Sequence, residues 1–180
     1  GIKENNRYLE VLLKERPELK NDRIEAARLC QLRVSLYDLA LGASPGYMEE
    51  AAPVPPTLVK VAGEVNGLYP VNRSFAVTFS NNSNVDQYKM VSAWQNEKSF
   101  RLVAFNNRYK NETFDIKLDH AYFASIGWKY DDLKNFTAKA VSPDGEKDID
   151  VKLINDVHFG ISIRCTLPAF TALMFSVDKK

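Results

Sequence analysis

The stretch Ile161-Ser-Ile-Arg-Cys-Thr-Leu-Pro-Ala-Phe-Thr-Ala-Leu-Met-Phe-Ser-Val177 decides the fold. Its first half alternates strictly, with Ile161, Ile163, Cys165 and Leu167 on one side and Ser162, Arg164 and Thr166 on the other. A period of two with one apolar side is the pattern of a half-buried strand. Pro168 interrupts it, since proline has no N–H to give a ladder, and a second strand is expected from Phe170 to Val177.

Working back toward the amino end, the same period recurs between turn residues. Phe136 to Val141 and Ile149 to Leu153 flank Ser142-Pro-Asp-Gly145, whose Pro and Gly preset a turn. Phe114, Ile116 and Leu118 alternate with Asp115 and Lys117. Gln87 to Trp94 and Ser99 to Phe105 flank Gln95-Asn-Glu-Lys98 as a hairpin. About seven or eight short strands after Pro70 predict an antiparallel sandwich.

Before Pro70 the period is about 3.6. Tyr8, Leu9, Leu12 and Leu13 form a stripe on a helix from Asn5 to Glu15 that Pro17 ends. Asp22 and Glu25 make a capping-box pattern ahead of Leu29, Leu32, Leu36 and Leu39, which predicts a second helix up to Gly42. Ala51-Ala-Pro-Val-Pro-Pro56 is a stiff, extended connection. Thr57 suits the cap of a third helix, from Leu58 to about Leu68. The expected class is α+β: a helical hairpin over residues 1–50, a Pro-rich linker over 51–57, and an antiparallel β-sandwich over 58–180 introduced by a short helix.

The balance of 24 Lys and Arg against 23 Asp and Glu leaves a net charge of +1, too little to gather nucleic acid or an anionic membrane. No apolar run reaches the ~20 residues of a membrane span. Gly1 in place of Met fits a processed end, and a secreted, periplasmic or cell-surface location is expected with any export signal removed upstream. Cys30 and Cys165 match no metal spacing and read as small buried residues, with a bridge between them as the alternative. Sequons begin at Asn72, Asn81, Asn111 and Asn135, all at expected strand ends or turns, where a glycan is tolerated.

No catalytic constellation is found. His120 and His158 lie outside any metal-ligand spacing, and there is no nucleophile elbow and no phosphate-binding glycine loop. The carboxylate pairs Glu49-Glu50, Asp131-Asp132 and Asp148 with Asp150 do not face one bond as glycoside hydrolysis requires. No metal and no cofactor is therefore expected. Aromatic rings carry more information, because the apolar faces of sugars stack on them. Trp128 and Tyr130, in Ile126-Gly-Trp-Lys-Tyr130-Asp-Asp132, fall on one side if that stretch is extended, and Trp94 stands at the mouth of a hairpin. These three are the candidate carbohydrate-binding residues; the competing reading is that the rings cap the sandwich core.

The carboxyl half resembles the all-β domain that follows the catalytic barrel in glycoside hydrolases of the α-amylase superfamily. The likeness rests on Leu68-Tyr-Pro-Val-Asn-Arg-Ser74, on Lys89-Met-Val-Ser-Ala-Trp94 with Phe100-Arg-Leu-Val-Ala-Phe-Asn-Asn107, and on Cys165-Thr-Leu-Pro-Ala-Phe-Thr-Ala-Leu-Met-Phe175. It covers roughly Leu58 to Val177. The superfamily's barrel motifs are missing, so no catalytic residue carries over. The resemblance implies a non-catalytic accessory module of an exported polysaccharide-handling protein, with a glucan or other polysaccharide, a catalytic domain or a second copy as partner. The alternative is an immunoglobulin-like or adhesin-like interaction module that docks through its helical hairpin. The helix-two stripe separates the two: packed on the chain's own sandwich it is structural, and exposed it lacks a partner.

Overall fold

Leucines on one helical stripe and β-branched or aromatic residues on short strands need a common apolar surface, and a central sheet buried on both sides supplies it. The computed structural model describes residues 2–43, 54–71, 77–79, 88–158 and 160–180. Helices α1 (Ile2–Glu15) and α2 (Arg23–Ala40) are joined by a 3-10 turn (Pro17–Asn21), and α3 (Pro56–Val65) follows. The strands are β1 (Tyr69–Pro70), β2 (Val77–Phe79), β3 (Lys89–Gln95), β4 (Ser99–Asn106), β5 (Glu112–Leu118), β6 (Thr137–Ser142), β7 (Gly145–Asp148), β8 (Lys152–Asp156), β9 (Gly160–Leu167) and β10 (Ala172–Asp178). A short helix α4 (His120–Ser125) lies between β5 and β6.

The strands form a six-stranded sheet, in the order β1-β3-β4-β10-β6-β7, and a four-stranded sheet, β2-β5-β9-β8. Every pairing is antiparallel. The expected α+β class with an antiparallel sandwich is what forms, with the helices as a third layer. Between the sheets, Ala93, Phe100, Leu102, Phe175 and Val177 meet Phe114, Ile116, Ile161 and Leu167. On the outer side of the six-stranded sheet, Met90, Trp94, Val103, Phe105 and Met174 meet Leu12, Leu29, Leu32, Leu36 and Leu39. The helix-two stripe is therefore buried against the chain's own sandwich. That stripe is not a free docking surface.

The helix boundaries follow local chemistry, with departures from expectation: α1 already begins at Ile2, ahead of Asn5, and α3 ends at Val65, short of Leu68. The Asp22 carboxylate accepts from the Glu25 N–H at 3.0 Å, as a capping residue should, but Glu25 turns to Arg28 instead of reaching back. Helix α3 opens at Pro56, at the first-turn position where proline's missing N–H costs nothing, so neither Thr57 nor the linker limit at 57 marks its start. The start of the expected connection, Ala51 to Pro53, lies outside the described residues, as do Asn72 and Asn81. The sequons at Asn111 and Asn135 are both on exposed residues.

Two further expectations change. Ile149 to Leu153 is not the partner of β6. Glu146 and Lys147 pair with Val141 and Ala140, a tight hairpin about Pro143-Asp144, and the chain then crosses to the other sheet as β8, where Leu153 lies opposite Ile163. The two-residue turn is short enough that the first strand after it has to be the one that pairs. Cys30 and Cys165 do not bridge: they are free, buried in the helical and inter-sheet cores respectively, with the six-stranded sheet between them. Burial pushes the thiols up to about 11 and about 12, so neither is a ready nucleophile.

One charge lies inside the helical layer. Arg33 is 2% exposed, donates from Nη2 to Glu15 at 2.8 Å, and places its guanidinium over the Phe170 ring. Its Nε and Nη1 are buried without an acceptor among the described residues. Removing one partner of such a pair leaves a buried charge uncompensated, whereas replacing the charge itself with an apolar chain does not. Glu15→Ala is expected to cost about 2 kcal/mol, below the fully buried range because Glu15 is 44% exposed. Arg33→Met is expected to cost less than the loss of Glu15. Urea denaturation of both variants checks the order, and the reverse order would show that Arg33 is stabilised by contacts other than Glu15.

Candidate functional site

Where the end of α2 and the length of α3 diverge over β3, they leave a groove of about 460 Å³ with Trp94 in its floor. Leu39 and Gly42 form one wall, Val59, Ala62, Gly63 and Val65 the other, and Asn66, Gly67 and Leu68 close one end. Among the described residues no charged side chain lines it.

Local sequence explains each part. Helix α2 ends at Ala40, and just beyond it Gly42, with a φ of +84°, lets the chain turn away while its N–H caps the Leu39 carbonyl. The Ser92 hydroxyl, one pair of residues before Trp94 on the same face, donates to the Ala40 carbonyl at 2.9 Å and ties the helix end to β3. A Cβ at Gly42 would lie 3.1 Å from that same Ser92 oxygen, so the glycine also lets the two approach. The other wall is set by Arg101, directly across from Trp94 in the β3–β4 ladder. Its guanidinium donates to Glu64 of α3 and Asp178 of β10, each at 2.9 Å, and to the carbonyls of Phe100 and Val177. A fork bonded on every side holds α3 at a fixed distance from the sheet.

The Ser99 hydroxyl and the Arg101 guanidinium beside Asp178 hold its carboxyl below its ordinary 3.8. A carboxylate with a depressed folded value binds protons more readily when unfolded, so it stabilises the fold above about pH 4 and loses that contribution as the pH falls through the lower folded value. The stability difference between the native chain and Asp178→Asn is expected to be constant above pH 5 and to close below pH 4, followed by urea midpoints across that range. Because Asp178 is largely exposed, the effect is small.

The three candidate aromatic residues are not brought together. Trp94 lies in the helical layer, 8% exposed. Trp128 lies on the other side of the six-stranded sheet, 1% exposed, tilted against Phe100 and Phe123 with its indole N–H donated to the Asn96 carbonyl at 3.0 Å. The Lys179 ammonium covers the ring at 4.2 Å. Such a ring has no face to offer a sugar. Tyr130 opens a 3-10 turn (Tyr130–Leu133), not an extended stretch, and is half-buried against the inter-sheet core, with the Lys134 ammonium over it. The Asp119 side chain caps α4 by accepting from Tyr122 N–H, and the helix and turn together roll Trp128 inward.

Sequence reasoning missed the groove walls, and Gly63-Glu-Val-Asn-Gly67 was the available signal: two glycines and an asparagine at the end of a helical period. Among the described residues no group of three His, Cys, Asp or Glu is placed to hold a metal ion. None of their helices is long and apolar enough to cross a membrane.

With the geometry set out, comparison with solved structures gives the architecture a context. A xylanase of glycoside hydrolase family 30, subfamily 8, from Clostridium acetobutylicum matches over 83% of this chain and 38% of its own, at 14% identity and a TM-score of 0.51. The likeness is one of fold. An endoglucanase of family 44 from Clostridium acetobutylium ATCC 824 matches over 86% of this chain and 29% of its own, at 14% identity and a TM-score of 0.43. A family 44 xyloglucanase from Paenibacillus polymyxa matches over 88% and 30%, at 15% identity and a TM-score of 0.42. This chain therefore spans well under half the length of each. No family model and no curated protein matches the sequence. The likeness is to parts of glycoside hydrolases, and it does not extend to showing the α-amylase superfamily.

Proposed function

We propose that this chain is a non-catalytic, carbohydrate-associated β-sandwich module of an exported polysaccharide-handling protein. The groove over Trp94 carries the reading: a concave site of ligand size, floored by an indole and lined without charge among the described residues, suits an uncharged sugar. It offers binding without hydrolysis, because no carboxylate among the described residues lines it and glycoside cleavage needs two across the scissile bond. The fold likeness to part of a family 30 xylanase supports the same reading, as does the sequence resemblance to the carboxyl-terminal β-domain of the α-amylase superfamily. On either likeness the partner is a catalytic domain.

The test is affinity electrophoresis of the intact chain in gels containing soluble xylan, xyloglucan or β-glucan, with reducing-sugar release assayed in parallel. The expected result is retardation by at least one polymer and no release of reducing ends. Uniform mobility in all three gels would remove the carbohydrate half of the reading, and sustained sugar release would remove the non-catalytic half.

A further inference from the structure

We infer that Asn66 is a self-modifying position, which converts to aspartate and isoaspartate by attack of the Gly67 backbone nitrogen on its side-chain amide. The reaction takes nothing from outside the chain except water. The Gly67 nitrogen forms a bond to Cγ of Asn66, the bond from Cγ to the amide nitrogen breaks, and ammonia leaves with the proton that the Gly67 nitrogen gives up. Water then opens the cyclic imide. Attack at Cγ leaves aspartate, and attack at the backbone carbonyl carbon leaves isoaspartate, in which the main chain runs on through Cβ and Cγ.

The chemistry needs an uncrowded nitrogen, a free N–H and room to turn, and the loop from α3 to β1 supplies all of them. Asn66-Gly67 is the one place in the sequence where glycine follows asparagine, so no Cβ shields the attacking atom. Both residues are exposed, and a Cβ at Gly67 would meet nothing within 4 Å, which leaves space for the ring. The N–H groups on either side are held, Asn66 to the Gly63 carbonyl at 3.3 Å and Leu68 to the Val65 carbonyl at 3.2 Å. That of Gly67 makes no hydrogen bond among the described residues. Closing the ring rotates Asn66 about its ψ, which stands at 131°, and Gly67, with a φ of +78°, absorbs the rotation as a residue with a Cβ does not.

Comparable positions are restrained. Asp144-Gly145 has the atoms for the same imide, but Gly145 is paired with Ser142 in the β6–β7 hairpin and the Asp144 carboxylate is engaged by Arg16. The Asn96 side chain accepts from the N–H groups of Lys98 and Ser99, and the buried Asn106 amide donates to the carbonyls of Lys110, Leu167 and Pro168. Conversion of Asn66 puts a carboxylate just past the C-terminal end of α3, where the helix carbonyls already concentrate negative charge. It also brings that carboxylate to the end of the groove over Trp94. The isoaspartate product adds a backbone atom between α3 and β1, whose Tyr69 lies opposite Gln95, and is the more disruptive of the two.

The experiment incubates the intact, folded chain in mildly alkaline buffer, follows it by isoelectric focusing, and locates the change by peptide mapping with an isoaspartate-specific methylation assay. The expected result is a more acidic species that grows with time and carries aspartate and isoaspartate at position 66. Gly67→Ala puts a methyl group beside the attacking nitrogen and is expected to slow the conversion about tenfold, a barrier increase of about 1.4 kcal/mol. Asn66→Gln, whose longer side chain closes a larger ring, is expected to remove it. Circular dichroism establishes that each variant is folded. If another asparagine converts before Asn66, or if Gly67→Ala converts at the native rate, the assignment is wrong. If Asn66 converts in the chain unfolded by urea but not in the folded chain, the turn protects the amide and the inference falls.

Discussion

Trp128→Ala is expected to lower the free energy of unfolding by about 4 kcal/mol and to leave the saccharide affinity of the folded chain unchanged. The size of the loss follows from the surroundings. The ring is fully enclosed between Phe100, Phe123 and the Lys179 side chain, and truncation opens a cavity that these neighbours, each packed against the inter-sheet core, have little room to fill. The Asn96 carbonyl loses its indole donor as well, at the turn that joins β3 to β4. That turn is already organised by the Asn96 side chain, which accepts from the N–H groups of Lys98 and Ser99. Loosening it weakens the hairpin whose other face carries Trp94. Urea denaturation gives the stability, and titration with a neutral oligosaccharide at low denaturant gives the affinity. A variant as stable as the native chain but unable to bind would place the ligand at Trp128 and contradict its burial.

Trp128 also shows where the sequence stops being informative. A tryptophan in Ile126-Gly-Trp-Lys-Tyr130 reads the same whether the ring turns in or out, because nothing within five residues decides it. What decides it is Asn96 and Phe100, about thirty residues away, together with a helix whose cap is a single Asp119. By contrast, β5 and β9 were legible residue by residue. Their sheet has one core face and one polar face, so Phe114, Ile116 and Leu118 pair with Cys165, Ile163 and Ile161 in the register that alternation implies. The α2 stripe was legible for the same reason, a helix with one buried side.

The six-stranded sheet was harder because it is covered on both sides. Met90 to Trp94 is buried without interruption, so alternation marks which residues share a face but not that a second layer exists. Ser92 and Arg101 lie on the face beneath the helices and look like solvent residues in sequence. One accepts that position by bonding a helix carbonyl, the other by bonding four oxygen-bearing groups at once. The groove inherits this difficulty. Trp94 was legible as a candidate, but its walls come from two helices that meet it only in three dimensions.

Gly160→Ala is expected to cost about 3 kcal/mol, against about 1 kcal/mol for Gly145→Ala. The two glycines have nearly the same backbone, φ of +95° and +98°, so the conformational part of the penalty is shared. They differ in what a methyl group would meet. At Gly145, in the β6–β7 turn, a Cβ has nothing within 4 Å. At Gly160, where β9 begins, it would lie 2.4 Å from the Leu118 carbonyl oxygen at the end of β5. That contact is backbone against side chain, with no flexible terminus to move aside. Relief requires parting β5 and β9 at the Leu118–Ile161 pair, which sets the register of the most regular ladder in the four-stranded sheet. Local sequence marks Gly145 as a turn glycine through the Pro143-Asp144 before it, but gives no sign that Gly160 lies under a carbonyl forty-two residues away. Paired urea titrations of the two variants measure the difference directly. Equal losses would mean that the strands separate at no cost, and that the close approach at Gly160 does not help to hold the sandwich closed.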